Sequence, residues 1–207
     1  MIQKQASQKK IILGVAIAIA VIVLIAAFAL MSQYNTMIER EEQVMTAWGQ
    51  VENVYQRRYD LVPNLVETVK AYAEHEQELF QMITAARANA GGVLQISDDA
   101  LRDPATLQKF QEAQAQLSSV LQRMMVVVEQ NPNIKADQNF LALQAQLEGT
   151  ENRIAVERKR FNEAVQAYNS YIKRFPQVLV ASLFGFETKV YFSADEGAEN
   201  APAVNFN

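Results

Sequence analysis

Residues 11–31 form an apolar run without a single charged side chain, from Ile11 through Gly14 to Met31. A helix rising ~1.5 Å per residue needs ~20 such residues to cross a ~30 Å hydrocarbon core. It also satisfies every backbone polar group internally, as lipid requires. The competing reading is a cleaved signal peptide, since Ala27-Phe28-Ala29 has the small-x-small form of a cleavage site. The run is longer than the usual ~7–15 residue apolar region of such peptides and continues through Leu30 and Met31. The reading adopted is a retained transmembrane helix over 11–31, touching the lipid bilayer along its length.

Lys4, Lys9 and Lys10 precede this run, and Arg40 follows it among Glu39, Glu41 and Glu42. The positive-inside rule then predicts a single-pass protein with residues 1–10 cytoplasmic and the large domain periplasmic or extracellular. Beyond the run, about 170 residues remain, enough for one domain with its own core. Gly (7) and Pro (5) are scarce, which favours helices over a sandwich or barrel. The net charge of -4 argues against nucleic acid as a partner, because such binders carry a basic face. Cysteine is absent, which removes disulfides, thiol chemistry and a lipid-modified cysteine anchor.

The fold class predicted is all-α: the transmembrane helix, then a long antiparallel four-helix, coiled-coil-like bundle over 32–176. Four segments carry apolar lines spaced alternately three and four. The first, 34–60, has Met37, Val44, Trp48, Val51 and Tyr55, and no Pro or Gly separates it from the anchor. The second, 63–90, has Leu65, Val69, Tyr72, Leu79, Ile83 and Ala86. The third, 104–130, has Leu107, Phe110, Gln114, Leu117, Leu121, Met124 and Val128. The fourth, 136–173, has Phe140, Leu143, Leu147, Ile154, Phe161, Val165, Tyr168 and Ile172. Breaks are expected at 60–63 before Pro63, at Gly91-Gly92, at Asp103-Pro104 and at Asn131-Pro132-Asn133. The connection over 91–103 is expected to be mobile. Residues 177–192 are a short apolar C-terminal segment, and 193–207 are expected to be disordered.

Arg58, Glu76, Glu151 and Arg158 fall on the apolar lines. Buried charges persist only when paired and hydrogen-bonded. The expectation is a buried polar network drawn from Arg57, Arg58, Glu76, Glu148, Glu151 and Arg158. Its core is Arg58 or Arg57 meeting Glu151 or Glu148 across the first and fourth helices. Such a network fixes bundle register; a binding role is the alternative. In the tail, Val178, Leu179, Leu183, Phe184 and Phe186 offer an interface or membrane contact. They pack on the bundle, lie on a membrane surface or cover a neighbouring subunit.

No catalytic, cofactor or metal site is expected. A carboxylate-bridged di-metal bundle needs Glu-x-x-His on two helices. The chain has one histidine, His75, and Tyr72 stands three residues before it. Glu74-His75-Glu76 reads as a solvated helix face. There is no Gly-rich phosphate loop and no histidine or cysteine set to serve a nucleophile.

The chain resembles the LemA family. The residues that carry the resemblance are Tyr34-Asn35, Trp48 and the run from Arg57-Arg58-Tyr59-Asp60 through Pro63-Asn64-Leu65 to Lys70. They continue with Glu74-His75-Glu76, Ala86-Arg87, Gln146-Leu147-Glu148-Gly149-Thr150-Glu151-Asn152-Arg153, Arg158, Arg160-Phe161-Asn162 and Tyr168-Asn169. In the tail they are Phe175-Pro176, Phe184-Gly185-Phe186 and Phe192. The departure is at 131–136, where the family usually has tyrosine before the proline and leucine before the lysine. The resemblance implies an N-terminally anchored helical bundle of the bacterial envelope and no particular reaction.

Two functions compete. One is a non-enzymatic structural or assembly protein that self-associates into a homo-oligomer. The other is a ligand-sensing or adaptor module working through an unknown protein partner, since ten residues before the span are too few for an output domain. A hydrolase built on an unrecognised carboxylate site is a distant third.

Overall fold

The computed structural model describes the backbone of residues 2–73, 75–95, 97 and 99–193, with side chains from Leu13 onward apart from that of Asp99. All secondary structure among the described residues is helical. In order these are α1 (Ile2–Lys70), α2 (Gln77–Gly92), a 3-10 turn (Asp99–Arg102), α3 (Pro104–Glu129), α4 (Pro132–Lys135), α5 (Gln138–Ile172) and α6 (Gln177–Phe184). The disorder expected over 193–207 falls, from residue 194 on, outside the described residues.

The first helix departs from the sequence expectation. α1 does not break at 60–63 but runs unbroken for 69 residues, with Pro63 inside it. A proline in a helix interior removes one N–H and frees the carbonyl four residues earlier. Here that carbonyl belongs to Tyr59, and it accepts the Nε–H of Arg87 from α2 at 3.1 Å. The orphaned acceptor is therefore satisfied from a neighbouring helix, and the chain stays helical to Lys70. The turn to α2 comes instead at 71–76, so Leu65 and Val69 belong to α1, and Tyr72 is exposed in the turn rather than buried on a second helix.

The other boundaries follow local chemistry. Asp103 caps α3, its carboxylate accepting from the Ala105 and Thr106 N–H groups, with Pro104 in the first turn. The Thr106 hydroxyl and these amides hold the Asp103 carboxyl below its ordinary range. Asn131 caps the short α4. Asp137 caps α5 and also accepts the Tyr72 hydroxyl at 2.8 Å. The Phe140 amide, then the Tyr72 hydroxyl, lower the Asp137 carboxyl, and the same bond raises the Tyr72 phenol.

α5 runs back along α1. Arg58 of α1 meets Glu151, Trp48 meets Phe161, and Arg40 meets Tyr171, so residue numbers rise on one helix as they fall on the other. The described part of the connection over 91–103 touches the bundle. Leu94 and Leu101 are buried, and the Val190 N–H donates to the Leu101 carbonyl at 2.9 Å. Two leucines of this stretch thus supply core.

The core has two apolar blocks. One is built around Trp48, Phe110, Phe161 and Tyr168 at the end nearer the apolar run. The other holds Leu65, Ile83, Met124 and Phe140 at the far end. Below the first block, Leu13 to Met31 is exposed on every side, with no other element packed on it. α1 is the one described helix long and apolar enough to cross a membrane.

Candidate functional site

A polar layer separates the two apolar blocks. Its centre is Arg58, a charged side chain only 2% exposed. Tyr55 lies one turn earlier, and the guanidinium sits 5.0 Å from its ring centroid. Nη1 donates to Ser118 Oγ at 2.8 Å and to Glu151 Oε1 at 3.1 Å. Nη2 donates to the Gln114 side-chain carbonyl and to its backbone carbonyl at 3.3 Å. Gln114, also buried, passes its own amide N–H to the Ala90 carbonyl at the end of α2 at 3.3 Å. One guanidinium thus links α1, α3 and α5 directly and α2 through Gln114. Sliding α1, α3 or α5 by one turn, ~5.4 Å, would strand a buried charge.

The remaining members of the expected network are placed differently. Arg57 and Glu148 are exposed; Glu148 accepts from Gln144 one turn away on its own helix. Glu76 is exposed at the start of α2, because the helix on whose inner line it was placed does not exist there. Arg158 is half-buried and turns to the tail, donating to the Ser193 carbonyl at 3.0 Å and lying over the Phe192 ring. Arg158 and Arg58 nonetheless line one cleft of about 270 Å³, with Gln111, Gln114, Ser118 and Glu151.

The tail makes contacts the sequence reading missed. Beyond α6, residues 186–193 form an extended strap along α5. The Asn169 side chain donates to the Lys189 carbonyl at 2.8 Å and accepts the Lys189 N–H at 2.9 Å. Asn162 does the same for Phe192, at 3.1 and 2.9 Å. Two helical turns from Asn162 to Asn169 cover ~10.5 Å, and three extended residues from Lys189 to Phe192 cover ~10 Å. The match lets one helix face hold the strap as a partner strand would. The strap then delivers Phe192 onto Trp48, with ring centroids 5.8 Å apart and nearly parallel, and against Phe161. Lys189 is buried and reaches Glu41 at 2.9 Å, a carboxylate it shares with Arg102. Asparagines two turns apart on α5 were the available signal.

The apolar segment ahead of the strap divides between two environments. Val180 and Ala181 are buried against the bundle, and Phe184 and Phe186 meet the Tyr34 ring at 4.9 and 5.6 Å. Val178, Leu179, Leu183 and much of Phe184 remain exposed. α6 closes on Gly185, whose φ of 77° lies in the left-handed region.

Among the described residues no group of three or more His, Cys, Asp or Glu side chains is placed to hold a metal. Glu151 is committed to Arg58, and among the described residues no hydroxyl is hydrogen-bonded to a histidine. The polar layer can fix helix register and can present two guanidinium groups to an anion in the cleft.

These features define a membrane-associated, all-helical protein. The sequence profile of the LemA family matches residues 47–206, and the chain belongs to that family. Among its relatives are a protein of Paramagnetospirillum magneticum named magnetosome protein MamQ 2 and one of Magnetospirillum gryphiswaldense named magnetosome protein MamQ. The first is 27% identical over 202 residues, covering 90% of this chain and 74% of the relative. The second is 27% identical over 204 residues, covering 91% and 75%.

Proposed function

We propose that this protein is a non-enzymatic structural component of the bacterial envelope that assembles laterally with copies of itself. In this reading residues 11–31 cross the bilayer, residues 1–10 are cytoplasmic, and the bundle stands on the other side.

The observation that carries the reading is the unbroken course of α1 from the apolar run into the bundle. A helix without a hinge transmits its orientation, so every copy presents the same faces at the same height above the membrane. Confinement to a plane and fixed orientation reduce the entropy lost on association. The relatives are named for a cellular structure and not for a reaction, which supports the same reading. Mass measurement of the full-length protein in native-like lipid tests it. Discrete multiples of the single-copy mass are expected; a single copy at every protein-to-lipid ratio would overturn it.

One observation favours a second reading, a ligand-sensing or adaptor module. Arg58 and Arg158 line the same cleft, and Arg58 Nε is buried without a hydrogen-bond partner among the described residues. A small carboxylate fits that chemistry. Thermal shifts with a panel of organic acids, absent in Arg58→Met, would support it.

A further inference from the structure

The exposed side of α6 is the feature left without an explanation. The helix is apolar around most of its circumference. Val180 and Ala181 face the bundle, while Val178, Leu179 and Leu183 face outward, the last two 62% and 75% exposed. Phe175, just before the helix, is 80% exposed. A helix apolar on both sides is normally buried on both. Here the protein covers one side only.

Its position says what covers the other. α5 descends antiparallel to α1, so its C-terminal end comes down toward the apolar run. Arg40, nine residues or ~13.5 Å beyond Met31, meets it on the way, donating to the Ala167 carbonyl at 3.5 Å and stacking on Tyr171. α6 sits lower still, against Tyr34. Tyr34 is three residues beyond Met31, or ~4.5 Å along the helix. The headgroup layer on each side of a bilayer is ~5–8 Å deep. Tyr34, Phe184 and Phe186 therefore lie within that layer if the apolar run fills the hydrocarbon, and aromatic rings of this kind favour it. Lys173 and Arg174, both exposed, precede Phe175 at the same end. Their stems can lie along apolar surface while their charges reach lipid phosphates.

We propose that α6 with Phe175 is a second membrane contact, seated in the headgroup layer of the leaflet from which α1 emerges. The occupant of its outer face is lipid. α1 and α6 then hold the bundle at two points, which fixes its tilt as well as its height. The inference rests on the anchoring of residues 11–31 and not on self-association.

The chain has no cysteine, so single labels are unambiguous. The test uses full-length Leu179→Cys and Leu183→Cys proteins, each carrying an environment-sensitive fluorophore, in bilayer nanodiscs of mixed neutral and anionic phospholipid. Asn64→Cys, exposed at the far end, and Ala20→Cys, inside the apolar run, are the references. Nitroxide placed near the lipid headgroup is expected to quench the labels at 179 and 183 severalfold more than the label at 64, with a blue-shifted emission. Soluble iodide is expected to do the reverse. Labels at 179 and 183 that behave like the one at 64 would overturn the proposal. So would labels shielded from both quenchers that self-quench as copies per disc increase, because a second copy would then cover the face. A label at 20 unaffected by mid-bilayer nitroxide would show instead that the anchoring itself fails.

Discussion

Arg87 of α2 donates its Nε–H to the Tyr59 carbonyl of α1, the acceptor that Pro63 leaves without a donor. Its guanidinium also lies 3.7 Å from the centre of the Tyr59 ring. The continuity of α1 thus depends on a side chain from another helix. Arg87→Met should cost about 1.5–2 kcal/mol, the lower part of the range for a charged hydrogen bond, because the site is only half-buried. Pro63→Ala restores the missing N–H, so Arg87→Met should cost less in that background. Denaturant midpoints of the four proteins in detergent, followed by Trp48 emission, check this. Equal costs in both backgrounds would contradict the explanation.

Gly91 lies against the same tyrosine. A Cβ there would come within 2.6 Å of the ring carbon Cε2. Alanine in a helix is worth about 1 kcal/mol over glycine, while overpacking costs about 1–3 kcal/mol. The Tyr59 ring is pinned under Arg87, so the clash should win and Gly91→Ala should destabilise. In a Tyr59→Ala background the sign should reverse. The same denaturation series reads both.

The ion pair at the polar layer should respond unevenly. Arg58 is sealed, whereas the Glu151 side chain is 42% exposed. Glu151→Gln should cost about 1 kcal/mol, since Arg58 keeps Gln114 and Ser118 and water reaches the vacated side. Arg58→Ala should cost about 3–5 kcal/mol through a cavity and stranded acceptors. Arg58→Met with Glu151→Leu should recover most of that loss. A recovered double mutant with altered helix pairing would assign the layer to register and not to stability, whereas normal pairing would take that role from it.

The strap gives an optical readout. Trp48 is the chain's one tryptophan and stacks on Phe192. Phe192→Ala should shift its emission to the red by opening the site to water. Asn169→Asp replaces the donor to the Lys189 carbonyl with an acceptor, and should speed amide exchange at Lys189 and Val190. Unchanged exchange there would remove the clamp from the account.

The caps predict an acid limb. The Asp103 and Asp137 carboxyls are both held below the ordinary value of 3.8 in the folded chain. Their contribution is complete above the unfolded-chain value, shrinks as pH falls below it, and is gone below the depressed folded value. Thermal midpoints should therefore hold steady from neutral pH to about pH 5 on this account and drop below about pH 4. Asp103→Asn with Asp137→Asn should flatten that drop.

Sequence patterns read helices well because apolar spacing and capping residues are local. The spans of α3 and α5, the caps Asp103 and the Gly91-Gly92 stop follow from them. Pro63 misled because its usual effect was cancelled by Arg87, a partner 24 positions away that no local rule anticipates. Glu76 was misplaced for the same reason, since it inherited the wrong helix. At the polar layer, the spacing put Arg58 and Glu151 on inward lines but could not choose them over Arg57 and Glu148. Gln114 also stood on an inward line, but its pairing with Arg58, and the part played by Ser118, emerge only once α3 is docked. The strap stayed hidden because an extended segment held by two asparagines has no period of its own.

A hinge-free anchored bundle that assembles side by side should be visible in single-particle images of the full-length protein in native-like lipid. Repeated copies at a common tilt are expected, with α1 continuous from bilayer to bundle and contacts between neighbouring bundles. Isolated copies whose bundles tilt freely on their anchors would contradict it.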